Sequence, residues 1–142
     1  MILFLLKRIK MTKQVSKVIL ATTNRQLDDK LANQVEKHKF TVFRGDANNV
    51  LKRYIDASNV YGGDYIIRIT GDCPFVNSEI IEFCLNQIEI SNFDLATTKG
   101  FFPKGLDLEI YKNETLKDIY KNYTLDDSEK EHMLNYLYNN KK

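Results

Sequence analysis

The chain has no tryptophan, only two prolines, six glycines, two cysteines and two histidines among its 142 residues. Each scarcity excludes something. So little Gly and Pro rules out collagen-like and low-complexity chains. Two cysteines, Cys73 and Cys84, are too few for a disulfide scaffold, and their spacing matches no metal or redox motif. With His38 and His132 as the only imidazoles, no zinc-type spacing is present, and no Ser-His-Asp set appears. Walker-type loops and Gly-x-Gly-x-x-Gly are absent as well. No apolar run approaches the roughly 20 residues of a membrane span. The apolar opening, Ile2 to Leu6, is short, and its basic residues Lys7, Arg8 and Lys10 follow it, the reverse of a signal peptide. A cytoplasmic protein with reduced thiols and no membrane partner is therefore expected. An excess of one charge is also missing: 21 Lys and Arg face 19 Asp and Glu, a net of +2. That balance offers no broad basic field for nucleic acid.

What is present is a globular composition, 43% apolar and 28% charged, long enough for one domain over residues 1–142 with a real core. Ile2, Leu5, Leu6 and Ile9 form one helical stripe. Val18-Ile19-Leu20-Ala21-Thr22 is a continuous apolar run of the kind buried parallel strands carry. A helix capped by Thr23 or Asn24 follows, with Leu27, Leu31, Val35 and His38 on one face. Phe40 to Phe43 reads as a short strand, and Asp46 is placed to cap a helix with Val50, Leu51, Tyr54, Ile55, Ser58 and Tyr61 inward, stopped by Gly62 and Gly63. Tyr65 to Ile69 is the clearest strand. Asn77 caps a further helix burying Ile80, Ile81, Cys84, Leu85 and Ile88. Phe93 to Thr97 and the alternating Leu106 to Tyr111 read as strands, the latter with one wet face. Helices around Glu114 to Asn122 and Asp127 to Tyr138 close the chain. Strand and helix alternate, which points to an α/β fold with a mostly parallel sheet.

Ligands of open α/β sheets bind beyond the carboxyl ends of the strands. In Arg68-Ile69-Thr70-Gly71-Asp72-Cys73-Pro74, Asp72 stands just past the best strand and suits a divalent ion held by one or two carboxylates plus substrate phosphates. The plainer reading is a turn residue beside Pro74. Asp107 and Glu109 share the wet face of their strand, as a second metal ligand and a sugar-hydroxyl contact, or simply as solvated side chains. Lys99 and Lys104, in the loop between strands, and Arg44, after the second strand, can meet phosphate or carboxylate. Arg68 is a basic residue in an apolar strand, open to ion pairing. His132 shares a helical patch with Glu129.

Together these segments resemble a known family. Val18-Ile-Leu-Ala-Thr-Thr, Val42-Phe-Arg-Gly-Asp46, Val50-Leu-Lys-Arg-Tyr54, Arg68-Ile-Thr-Gly-Asp-Cys-Pro74, Gly105-Leu-Asp-Leu-Glu109 and Glu129-Lys-Glu-His132 occur in the order and spacing of cytidylyltransferases of the spore-coat-polysaccharide and acylneuraminate type. The resemblance implies a three-layer α/β/α sandwich of the nucleotide-diphospho-sugar transferase kind, Rossmann-like. It implies transfer of CMP from CTP to a sugar hydroxyl with Mg²⁺, in surface polysaccharide biosynthesis. Carried over by position, Asp72 is the catalytic metal carboxylate and Asp107 a candidate second ligand, Arg44 and Arg68 line the nucleotide, and Glu109 faces the sugar; from the residue reading, Lys104 and His132 join them as substrate-binding candidates. CTP and a sugar are the expected partners, and a homodimer is one assembly open to the chain. Members of the family begin with a strand and a Gly, Arg and Lys-rich loop; here Met1 falls within what resembles the helix after that loop, so a central strand and its phosphate donors are expected to be missing. Two other readings remain open: a non-catalytic remnant or interaction subunit of the same fold, and a glycosyltransferase of related architecture, whose usual Asp-x-Asp motif the Thr70 to Pro74 segment lacks.

Overall fold

The computed structural model describes residues 1–132 and 135–137. It opens with α1 (Ile2–Ile9), whose Leu5, Leu6 and Ile9 are buried as their spacing requires. Strand β1 (Ile19–Thr23) leads through a single 3₁₀ turn (Gln26–Asp28) into α2 (Asp29–Lys37) and then β2 (Thr41–Gly45). Next come α3 (Val50–Tyr61), β3 (Tyr65–Arg68), α4 (Ser78–Ser91), β4 (Leu95–Thr97), β5 (Glu109–Lys112), α5 (Asn113–Asn122) and α6 (Asp127–Glu131).

The strands form two separate ladders. β1 and β2 pair in parallel, Ile19 opposite Thr41 through Thr23 opposite Gly45. β3 and β4 each pair antiparallel to β5, which lies between them. The parallel pair follows the expectation for apolar strands linked by helices. The antiparallel β5 departs from it. Its residues alternate between two cores: Ile110 packs with Leu5, Ile81, Leu85 and Ile88, and Tyr111 with Leu51, Ile55, Leu116 and Ile119. Helices thus cover both faces of this sheet, the layered α/β/α arrangement. Each fully buried Leu or Ile contributes about 1.5–3 kcal/mol.

Several local expectations shift by a turn. Asn49, not Asp46, caps α3 by accepting from Lys52 N; Asp46 instead accepts from Asn48 N and Asn49 N and shapes the preceding turn. No side chain caps the helix after β1, because Asp28 turns back to accept from Thr22 Oγ1 at 2.9 Å and Thr23 N at 3.0 Å. Leu27, placed on the inner face by spacing, is 90% exposed, since the 3₁₀ turn offsets the helical phase. Asn77 caps α4 as expected. The wet face assigned to Leu106–Tyr111 is also corrected: Glu109, Ile110 and Tyr111 are all buried, because both edges of β5 are paired and both faces covered. The last helix breaks at His132, and its expected end at Tyr138 lies outside the described residues. Cys73 and Cys84 are both buried free thiols. Among the described residues, no helix is long and apolar enough to cross a membrane.

Candidate active site

Two loops at the end of β3 and ahead of β5 are tied together by one main-chain bond, Phe75 N donating to Gly105 O at 3.0 Å. On the first, Thr70 O accepts from Cys73 N at 3.0 Å, and the buried Cys73 anchors the turn in the core. Asp72 is left exposed at its tip. The hydroxyl of Thr70 beside Asp72 holds its carboxyl below the ordinary 3.8, aided by its own backbone N–H, the Cys73 thiol and the Arg68 charge. Asp72 is therefore an anion across the neutral range.

On the second loop, Thr98, only 1% exposed, grips both neighbours of Asp107. Its hydroxyl donates to Leu106 O at 2.9 Å and accepts from Leu108 N at 2.9 Å. That grip aims Asp107 into a cleft of about 260 Å³ shared with Arg68, Thr70, Asp72, Lys99 and His132. Thr70 and the Thr98 clamp escaped the sequence reading; a Thr two residues before an acid at a strand end is the signal that marks the first, and nothing local marks the second.

Glu109 also borders this cleft, but its carboxylate is already engaged. It accepts from Arg68 Nη1 at 2.8 Å and from the Tyr111 hydroxyl at 2.6 Å, and the residue is 4% exposed. Burial disfavours the Arg68 charge, yet the Glu109 carboxylate outweighs it and holds the guanidinium protonated. Burial likewise pushes the Tyr54 and Tyr111 hydroxyls up, so both stay neutral. The pair fixes an arginine at the cleft floor.

The other sequence candidates separate. His132 reaches the cleft from the end of α6, while its expected partner Glu129 is occupied in a capping box with Asp126. Arg44 is not brought to the cleft. It donates to Thr23 O at 3.0 Å and Arg25 O at 2.7 Å and pairs with Asp29, binding the turn after β1. Lys104 is exposed on the Phe101–Gly105 loop and lines neither cleft. Among the described residues no group of three or more His, Cys, Asp or Glu side chains is arranged to hold a metal. Two carboxylates beside a hydroxyl nevertheless fit a hard cation that takes its other ligands from water and phosphate.

A paired-carboxylate cleft with fixed basic residues at the strand ends of a layered α/β sheet marks a Rossmann-like nucleotidyltransferase fold. Comparison with known proteins narrows this: the chain belongs to the cytidylyltransferase family, whose pattern it matches over residues 1–142. It is 35% identical over 136 residues to an uncharacterised protein, MJ1063, of Methanocaldococcus jannaschii, covering 96% of this chain and 55% of that protein. It is 30% identical over 130 residues to the spore coat polysaccharide biosynthesis protein SpsF of Bacillus subtilis, covering 89% and 52%. The chain therefore spans about half the length of these relatives. A cytidylyltransferase of Leptospira borgpetersenii superposes with a TM-score of 0.87 at 33% identity, over 96% of this chain and 59% of that one. A CMP:2-keto-3-deoxy-manno-octonic acid synthetase, solved with CTP, superposes with a TM-score of 0.72 over 97% of this chain and 74% of that one; at 14% identity it shares the fold.

Proposed function

We propose that this chain supplies the metal-binding part of a site that transfers CMP from CTP to the hydroxyl of an acidic, acylneuraminate-like sugar, in the making of surface polysaccharide. The observation that carries this reading is the convergence of Asp72 and Asp107, from two loops, on one cleft with Arg68 and Lys99. Asp72 and Asp107 would hold Mg²⁺, which when bound neutralises triphosphate charge and orients the α-phosphorus for in-line attack. Arg68, kept charged by Glu109, and Lys99 face the polyphosphate and favour its anionic groups. Thr70 keeps Asp72 ionised and oriented, and His132 borders the same space. CTP as substrate implies a cytoplasmic location.

The test is Mg²⁺-dependent binding of CTP by calorimetry, followed by pyrophosphate release on adding an acidic sugar. Binding of CTP that requires Mg²⁺ supports the reading. A preference for a nucleotide-sugar over CTP sinks it in favour of a glycosyltransferase, and no binding of either leaves a non-catalytic role.

A further inference from the structure

We propose that Thr97 and Thr98 are positioning residues that hold Asp107 and Lys99 apart, so that one meets a divalent cation and the other a phosphate instead of each neutralising the other. The proposal rests on the reading of this cleft as a cation and polyphosphate site, and adds what sets the two charges in place.

The register of the β4–β5 ladder raises the problem. Leu95 stands opposite Tyr111, Ala96 opposite Ile110 and Thr97 opposite Glu109. Continued by two residues, the same register would set Lys99 opposite Asp107. Directly opposed side chains of an antiparallel pair share a face, with their Cβ atoms about 5 Å apart, and opposite charges so placed attract. The ladder ends before that happens. Among the described residues no ion pair joins Lys99 to Asp107, although both line the same cleft.

The Thr98 side chain is what ends it. Lys112 N donates to Asp94 O, so alternate pairs from there, Thr98 with Leu108 among them, are those that exchange two main-chain bonds in a regular ladder. Here Thr98 N does donate to Leu108 O, at 3.1 Å. The return bond from Leu108 N goes to the Thr98 hydroxyl at 2.9 Å, in place of the Thr98 carbonyl. That carbonyl accepts instead from Phe101 N at 3.0 Å and Phe102 N at 3.1 Å, which turns the chain away directly after Thr98. The hydroxyl donates in turn to Leu106 O at 2.9 Å. One side chain thus serves the main-chain groups on both sides of Asp107, and the role needs a group that donates and accepts at once.

Thr97 does the same for Lys99. Its hydroxyl accepts from Lys99 N at 3.0 Å and donates to Leu108 O at 3.1 Å. The first residue of the turn is therefore pinned to the strand segment that carries Asp107. Asp107 is half-buried and Lys99 exposed. That order suits a metal carboxylate inside the cleft and a cation that meets polyphosphate arriving from solvent.

The test is binding of Mn²⁺ to the full chain, read from loss of the free-ion electron paramagnetic resonance signal well below each variant's Tm. Mn²⁺ is suited to the same carboxylate and water ligands as Mg²⁺. Thr98→Val should weaken Mn²⁺ binding by about tenfold or more, as loss of a partner that orients a metal ligand does, whereas Thr98→Ser should stay within about twofold of the parent. A purely structural clamp would lower Tm and leave the affinity alone. In Thr98→Val the Leu108 N–H is free to return to the Thr98 carbonyl, which extends the ladder and brings Lys99 onto Asp107. Adding Lys99→Met should then regain more Mn²⁺ affinity than the same change gains in the parent. Thr97→Val, which serves should Thr98→Val not fold, should weaken pyrophosphate binding to the Mn²⁺-loaded protein and keep its Mn²⁺ affinity. A parent that binds no Mn²⁺ overturns the cation reading and this proposal with it. Where the parent binds, the proposal alone is overturned by unchanged affinity in Thr98→Val, by an equal gain from Lys99→Met in both backgrounds, or by unchanged pyrophosphate binding in Thr97→Val.

Discussion

Arg68 and Glu109 stand directly opposite one another in the β3–β5 ladder, and their side chains close the same register with an ion pair of 2.8 Å. The side chains are only 16% and 6% exposed, so removing one partner strands the other in a poorly solvated place. Glu109→Gln should destabilise the fold by about 3 kcal/mol, near the lower end for a broken buried pair, because the amide still accepts one hydrogen bond. Replacing both, Arg68→Met with Glu109→Leu, should recover most of the loss. Urea denaturation of the two variants checks this; equal stability of Glu109→Gln and the parent contradicts it.

At Asp72 the folded pKa lies below 3.8, so its charge is complete above that value and is lost only as the pH falls through the lower folded value. Mg²⁺-dependent CTP binding should therefore show no step from Asp72 between about pH 5 and 8. Asp72→Asn should abolish that binding while leaving Tm within about 1 °C, since the side chain is exposed and its partner Thr70 can satisfy an amide. Calorimetry beside a melting curve separates the two effects.

Asp28 gives a purely structural acid response. The Thr23 and Thr22 hydroxyls and the Thr23 N–H hold its carboxyl below 3.8. Its folded pKa being depressed, the stabilisation is present above 3.8 and disappears as the pH falls through the folded value. Asp28→Asn should lower stability at pH 7 and meet the parent at low pH. Unfolding midpoints measured from pH 2.5 to 7 should converge; parallel curves count against the role.

Gly105 binds the two site loops. Its φ is +91°, and a Cβ there would meet Phe75 Cδ2 at 2.8 Å. Gly105→Ala should cost about 1–3 kcal/mol and weaken Mg²⁺ binding by displacing Asp107. Adding Phe75→Ala should relieve the clash but not the backbone strain, so recovery should be partial. Thermal melts of the single and double variants report both parts.

Much of this was legible from residue order. Apolar period places α1, α3 and α4, and the expected cap holds only for α4, because a helix with a clean apolar stripe needs only local chemistry and a core to face. The strand-end logic also located Asp72, since a Gly-containing turn after an apolar strand points outward wherever the sheet lies. Pairing was less legible. Nothing in Leu106 to Tyr111 tells that β5 enters between β3 and β4, and that insertion turned an apparently solvated Glu109 into the buried partner of Arg68. Arg44 shows the same limit: a free cation by sequence, it is tied to Thr23, Arg25 and Asp29 by a turn that closes only in three dimensions.

The sequence by itself determined the α/β class, the apolar strands, the helix faces and the acidic residue past β3, all properties set by neighbours within a few positions. Tertiary structure decided which strands share an edge, which carboxylates meet in a cleft and which are locked in ion pairs. Those outcomes depend on contacts between residues far apart in sequence, such as Arg68 and Glu109, whose closure is decided by the packing of the whole sheet rather than by any local preference.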